Sequence, residues 1–146
     1  MLAADDDEFE NKKNEPDYSK YKTDVQVNEC VMEFAHDIIY SAQLQNKDIK
    51  VSIDFDTAIS SDQTRVAAKA RIDSDLGTIM VFPNFGKNSS SAYIVNRGVI
   101  NRMRKEGFSE EFIQRNGGIY SDQFNFTQKS VRQLAHYLTH KINYDI

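Results

Sequence analysis

The stretch 50–72, "KVSIDFDTAISSDQTRVAAKARI", decides how the chain is read. Val51, Ile53 and Phe55 alternate with Ser52, Asp54 and Asp56. That is the period of two expected of a strand with one buried face. Val66, Ala68, Ala70 and Ile72 alternate in the same way with Arg65, Ala67, Lys69 and Arg71. The polar "SSDQ" between the two runs reads as a turn, so they form an antiparallel hairpin. Pairing Ile59 with Thr64 sets Phe55 against Ala68, Ile53 against Ala70 and Asp54 opposite Lys69, with Ile53 and Phe55 in the core. Two carboxylates on one face, as in "DFD", also suit a metal. Here the facing strand carries Lys69 and Arg71, and cross-strand charge pairs of about 0.2–1 kcal/mol account for the pattern.

On the N-terminal side of this hairpin the period changes to 3.6. Val27, Val31, Phe34, Ala35, Ile38 and Ala42 form one stripe, which predicts a long helix capped by Asp24 and ending near Gln45–Lys47. His36 falls on its polar side. Cys30 sits within the apolar pattern and reads as a buried small hydrophobe. As the single cysteine, it excludes an internal disulfide framework. Residues 1–22 have no apolar periodicity and carry a net charge of −3, an acidic polar tail in which Tyr18 and Tyr21 are able to dock.

On the C-terminal side "TIMVF" gives a third strand and "AYIVN" a fourth. Pro83 cannot donate to a ladder, so it ends the third strand or marks an edge. "GVINRMRKEGF" is a short helix stopped by Gly107, and Ser109 caps a second one, "EEFIQRN", stopped by Gly117-Gly118. Phe108, Phe112 and Ile113 are expected to face the core. "IYSDQFNF" is irregular or a short strand. Thr127 caps a last helix whose stripe is Val131, Leu134, Ala135, Leu138 and Ile142, with Lys129, Arg132, Gln133, His136 and His140 opposite. The fold class is α+β: a long N-terminal helix, a four-stranded antiparallel meander and C-terminal helices, with 23–146 as one domain.

The totals narrow the function. The net charge is −4, with residues 23–92 at −4 and residues 93–146 at +3, so an anionic ligand is expected at the C-terminal third. No apolar run approaches the roughly 18 residues of a membrane span, and the acidic start is unlike a secretory signal, so a cytoplasmic location is expected. His136 and His140 have zinc-ligand spacing, but "HYLTH" lacks the glutamate of HExxH and no third ligand is in view, so no metal site is expected. There is no GxSxG elbow and no GxxxxGK[ST] loop, and no credible acid–base pair, which favours a non-catalytic protein without cofactors.

Binding remains. In "FPNFGKNSSS", 82–91, Phe82 and Phe85 offer rings, Asn84 and Asn88 amides, and Lys87 a cation. Base stacking on an aromatic ring is worth roughly 1–3 kcal/mol, and an amide reads adenine's edge. Arg97, Arg102 and Arg104, with Lys105 and Arg115, follow closely and suit phosphates. The other reading of the same stretch is a hydrophilic hairpin loop beside a solvated helix.

The order of "VNECVMEFAHDIIYSAQ", a meander ending in "IMVFPNFG", and the basic "NRGVINRMRKEGF" resembles small phage-encoded anti-Thoeris proteins over residues 24–146. The resemblance implies a homo-oligomeric sponge in the host cytoplasm. It would bind a cyclic ADP-ribose isomer without cleaving it and so evade host immunity. No residue role is carried over from that family. Two other classes stay open: a nucleic-acid-binding accessory protein of viral origin, which the negative net charge disfavours, and a protein–protein inhibitor whose acidic tail mimics phosphates.

Overall fold

Two helices lie across one face of a six-stranded sheet. The computed structural model describes residues 18–95, 97–116 and 122–141. In chain order they form a 3-10 turn (Tyr18–Lys20), β1 (Lys22–Thr23), α1 (Val25–Gln45), β2 (Ser52–Ile59), β3 (Arg65–Asp73), β4 (Thr78–Asn84) and β5 (Ser89–Val95). Then come α2 (Arg97–Lys105), α3 (Glu110–Asn116), β6 (Gln123–Asn125) and α4 (Gln128–Thr139). The α+β class is as expected, and β2 to β5 make the antiparallel meander. Two short strands extend it: β1 runs parallel to β3, and β6 pairs antiparallel with β5. No helix among the described residues is long and apolar enough to cross a membrane.

Each covering helix begins at a side-chain cap. Asp24 Oδ1 accepts the Val27 N–H at 3.3 Å, and Thr127 with Ser130 forms a reciprocal capping box at the start of α4. Such caps satisfy N–H groups that the first turn leaves without partners. Val31, Phe34, Ala35 and Ile38 of α1 meet Val131, Leu134, Tyr137 and Leu138 of α4 over Ala70, Ile72, Ile79, Val81 and Ala92 of the sheet. Phe34 stacks on Phe126 just ahead of α4, with ring centres 4.6 Å apart.

The β2–β3 register differs from the expected one by two residues. Ile59 pairs with Val66, so Asp54 faces Arg71, Asp56 faces Lys69, Phe55 faces Ala70 and Ile53 faces Ile72. The turn explains the slip. Ser60 Oγ accepts the N–H groups of Thr64 and Arg65, and Asp62 Oδ1 accepts the hydroxyls of Ser60 and Thr64 together with the Thr64 N–H. Thr64 is held in the turn and cannot pair with Ile59. A two-residue slip keeps every side chain on its face, so the alternation was read correctly while the partners were not. Arg71 turns to Asp73, at 3.0 Å, instead of Asp54.

Phe55 is 48% exposed, not in the core. α1 packs chiefly over β3, β4 and β5, and β2, an outer strand paired only with β3, lies at the margin of its cover, with Ile53 against the core and Phe55 beyond it. Phe108 and Phe112 also stay at the surface, stacked on each other at 5.0 Å, while Ile113 is buried. Gly107, at φ +91, ends α2 as expected, and the Phe108 N–H donates to the Met103 carbonyl. The Gly117-Gly118 stop and Ile142 lie outside the described residues.

The sheet forks at its centre. Pairing of β3 with β4 stops at Ala70–Val81, two residues before Pro83, which has no N–H to offer β3. The chain around β1 fills the gap. Lys22 N–H donates to Thr64 O and Asp24 N–H to Val66 O, both at 2.9 Å, and Asn28 Oδ1 accepts the Ala68 N–H at 2.8 Å. Residues 18–22, expected in the acidic tail, therefore belong to the fold, and Tyr18 docks on Tyr21 with ring centres 6.1 Å apart.

Candidate functional site

The stretch 82–91 is a β-hairpin. Asn84 pairs with Ser89, and Phe85 to Asn88 form the turn, with Gly86 at φ +82 and Asn88 at φ +48. Most of its polar chemistry is spent on the hairpin and on its seat against α1. Asn84 Nδ2 donates to Ser91 Oγ at 2.7 Å and to Ser89 Oγ at 3.2 Å, and Gln123 Nε2 donates to the same Ser91 oxygen. The Cys30 thiol donates to Asn88 O, and Ser90 Oγ donates to Cys30 O. Phe85 lies under the Arg65 guanidinium at 5.7 Å, and that arginine also pairs with Asp24. Phe82 meets Tyr93 edge-on at 5.7 Å, on the sheet face away from α1.

The structure does not bring the arginines of α2 to this turn. The seven residues of β5 separate the two. At a rise of about 3.4 Å per residue they span roughly 20 Å. Arg104 is bound by Glu110, with its Nε at 2.8 Å from one carboxylate oxygen, and this hydrogen bond holds Glu110 below the usual carboxylate range. Lys87 and Arg102 are exposed and have no ion pair among the described residues. The side chain of Arg97 lies outside the described set.

A different cluster does converge, in the groove between α1 and α4. Lys129, Arg132, Gln133 and His136 recur at i, i+3, i+4 and i+7 and so share one face of α4. With Gln45 they line a basic lobe of about 430 Å³. A second hollow of about 360 Å³, a separate lobe that shares Arg132 with the first, has apolar walls of Tyr40, Leu44, Phe126 and Val131. Asp37, Ser41 and Gln128 supply its polar edge. Arg132 lines both lobes. Gln45 stitches the helices together, donating through Nε2 to Arg132 O at 3.2 Å and to Ser41 Oγ at 3.3 Å. Lys129 and Arg132 have no ion pair among the described residues.

The rings of His136 and His140 stack 3.9 Å apart, and His140 Nδ1 lies 2.8 Å from Thr139 Oγ1. No three of His, Cys, Asp and Glu converge among the described residues. Cys30 is half-buried, and burial, followed by Glu33, Glu29 and Asp24, pushes its thiol above the ordinary range.

The basic face of α4 is exposed, as its sequence pattern predicts, while Tyr40 and Leu44, also exposed, are the residues beside it that the pattern left unmarked. The available signal was their i, i+4 spacing just off the buried stripe of α1. The pair ends one residue before Gln45, whose side chain reaches α4. The chain matches no known family model, no curated protein and no solved structure.

Proposed function

We propose that this protein binds an anionic, nucleotide-like small molecule in the α1–α4 groove and returns it intact. One observation carries the reading: Arg132 is shared between an aromatic, apolar lobe and a basic lobe. A nucleotide has that same division, a flat ring at one end and phosphates at the other. Tyr40 and Phe126 offer ring faces, and Asp37, Ser41 and Gln128 offer acceptors and donors to a base edge. Arg132 meets phosphate oxygens with a planar fork, and Lys129 with a point charge.

The layout of the groove supports simple binding. Its aliphatic hydroxyl, Ser41, accepts from Gln45, lies in the other lobe from His136 and makes no hydrogen bond to Asp37, the carboxylate in its own lobe, among the described residues. Nucleophilic catalysis needs a hydroxyl and a base in hydrogen-bond reach. The resemblance seen in the sequence makes cyclic ADP-ribose isomers the first ligands to try, with sequestration in a phage-infected cell as the role. A homo-oligomer belongs to the same reading and is checked by sedimentation velocity.

The test is calorimetry with AMP, ADP-ribose, its cyclic isomers and pyrophosphate, followed by heat release and chromatography of the bound molecule. The reading expects a nucleotide to bind more tightly than pyrophosphate and to be recovered unchanged. Altered ligand would make the protein an enzyme, and no binding across the panel would reject the groove.

A further inference from the structure

The outer edge of β2 carries an apolar groove with acidic borders. β2 pairs with β3 on one side only. The Ser60 N–H donates to Arg65 O, so Ser60 points its backbone at β3. By antiparallel alternation Ser52, Asp54, Asp56 and Ala58 do the same, and Ile53, Phe55, Thr57 and Ile59 present N–H and C=O groups to the open side. Thr57 N–H is taken by the Asp56 carboxylate at 2.7 Å. Next to this edge a groove of about 500 Å³ runs between β2 and α1, floored by Met32, Ile39, Ile53 and Phe55. Met32 and Phe55 remain 41% and 48% exposed. Glu33 and Asp37 border it on α1, with His36 between them.

We propose that this edge takes an extended segment of another protein, one that alternates apolar residues with lysine or arginine, as an added strand. An incoming strand would pair its backbone with Ile53 and Phe55. Its alternate side chains would then fall on two faces. Those on the α1 side enter the apolar groove between Phe55 and Met32. Those on the other side lie beside Asp54 and Asp56, neither of which has an ion pair among the described residues. Lys69 and Arg71 stand across from these aspartates on β3, and Arg71 is turned to Asp73. Charge thus selects a basic partner strand.

The same charges argue against a second copy of this chain. A two-fold antiparallel pairing of β2 with itself, centred on Phe55, sets Asp54 opposite the Asp56 of the other copy. Like charges directly opposite one another destabilise a sheet.

The experiment uses the whole protein and two capped eight-residue peptides, the length of β2, one alternating Val with Lys and the other Val with Glu. The Lys peptide is expected to bind and to slow hydrogen exchange at the Ile53 and Phe55 amides. Asp54→Lys with Asp56→Lys, both exposed positions, should weaken the Lys peptide about tenfold and let the Glu peptide bind, since about 1.4 kcal/mol of lost complementarity is a factor of ten. The proposal is overturned if neither peptide protects those amides, or if wild-type protein takes the Glu peptide equally well. Concentration-dependent protection of the same amides without peptide would assign the edge to a second copy and overturn it too.

Discussion

The β4–β5 hairpin and the α1–α4 groove hold similar inventories: rings, amides, hydroxyls and cations. They differ in where those groups point. In the hairpin, Asn84, Ser89, Ser91 and Gln123 bond to one another, Cys30 holds the Asn88 backbone carbonyl and Arg65 lies over Phe85, which leaves Lys87 as a single exposed cation without an ion pair among the described residues. In the groove, Gln45 is engaged but Lys129 and Arg132 are not. Neighbours in a dense polar hairpin satisfy much of one another's hydrogen bonding, so fewer of its groups are left to meet a ligand. On the proposed reading, the two cations of the groove, drawn to one place by the meeting of two helices, are the groups that meet the ligand.

The largest expected effect breaks the groove from beneath. Phe34 is fully buried and stacks on Phe126, a wall of the apolar lobe. Phe34→Ala should cost about 3–5 kcal/mol in urea unfolding and abolish ligand binding. A loss below about 1 kcal/mol would show that the two helices do not share this support.

Asn84→Ala separates the two regions. It removes the hydrogen bonds to Ser89 and Ser91 and should cost about 0.5–1.5 kcal/mol per bond, with calorimetric affinity unchanged. Weaker binding at unchanged stability would return the site to the hairpin.

A smaller effect is expected at Phe55→Ala. The ring is half exposed beyond the cover of α1, so unfolding should shift by only about 0.5 kcal/mol, the scale of surface changes. A core-sized loss would restore the placement read from the sequence.

The last contrast is electrostatic. Hydrogen bonds from Ser60 and Thr64 hold the Asp62 carboxyl down to about 2, against an ordinary 3.8. A depressed acid stabilises the fold fully above the ordinary value and loses that contribution as pH falls through the depressed one. Carbon-detected NMR should therefore show Asp62 titrating near 2 and the β2–β3 turn intact at pH 3. A midpoint near the ordinary value would mean that the turn network does not form.

Much of the fold was legible because it rests on local rules. The stripe of α1, the caps at Asp24 and Thr127, the alternation of β2 and β3 and the Gly107 stop are each set by residues a few positions apart. What escaped depends on side-chain networks that periodicity does not register, or on distant partners. The β2–β3 register turned on a side-chain network inside the turn, and β1 gained a strand role only because Pro83 leaves β3 unpaired. Phe55, Phe108 and Phe112 read as core since hydrophobicity says nothing of how far a covering helix reaches. The proposed groove was not legible for the same reason: the exposed Lys129 and Arg132 line hollows with Tyr40, Leu44 and Gln45 only once the two helices meet.

The most direct measurement is a backbone amide NMR titration of the full chain with the tightest nucleotide from the calorimetric panel. Shifts concentrated at Ser41, Leu44, Gln45, Lys129, Arg132 and His136, with Phe85 to Asn88 and Arg102 unmoved, are the predicted result. Shifts at the 85–88 turn or along α2, with the α1–α4 groove silent, would contradict the account.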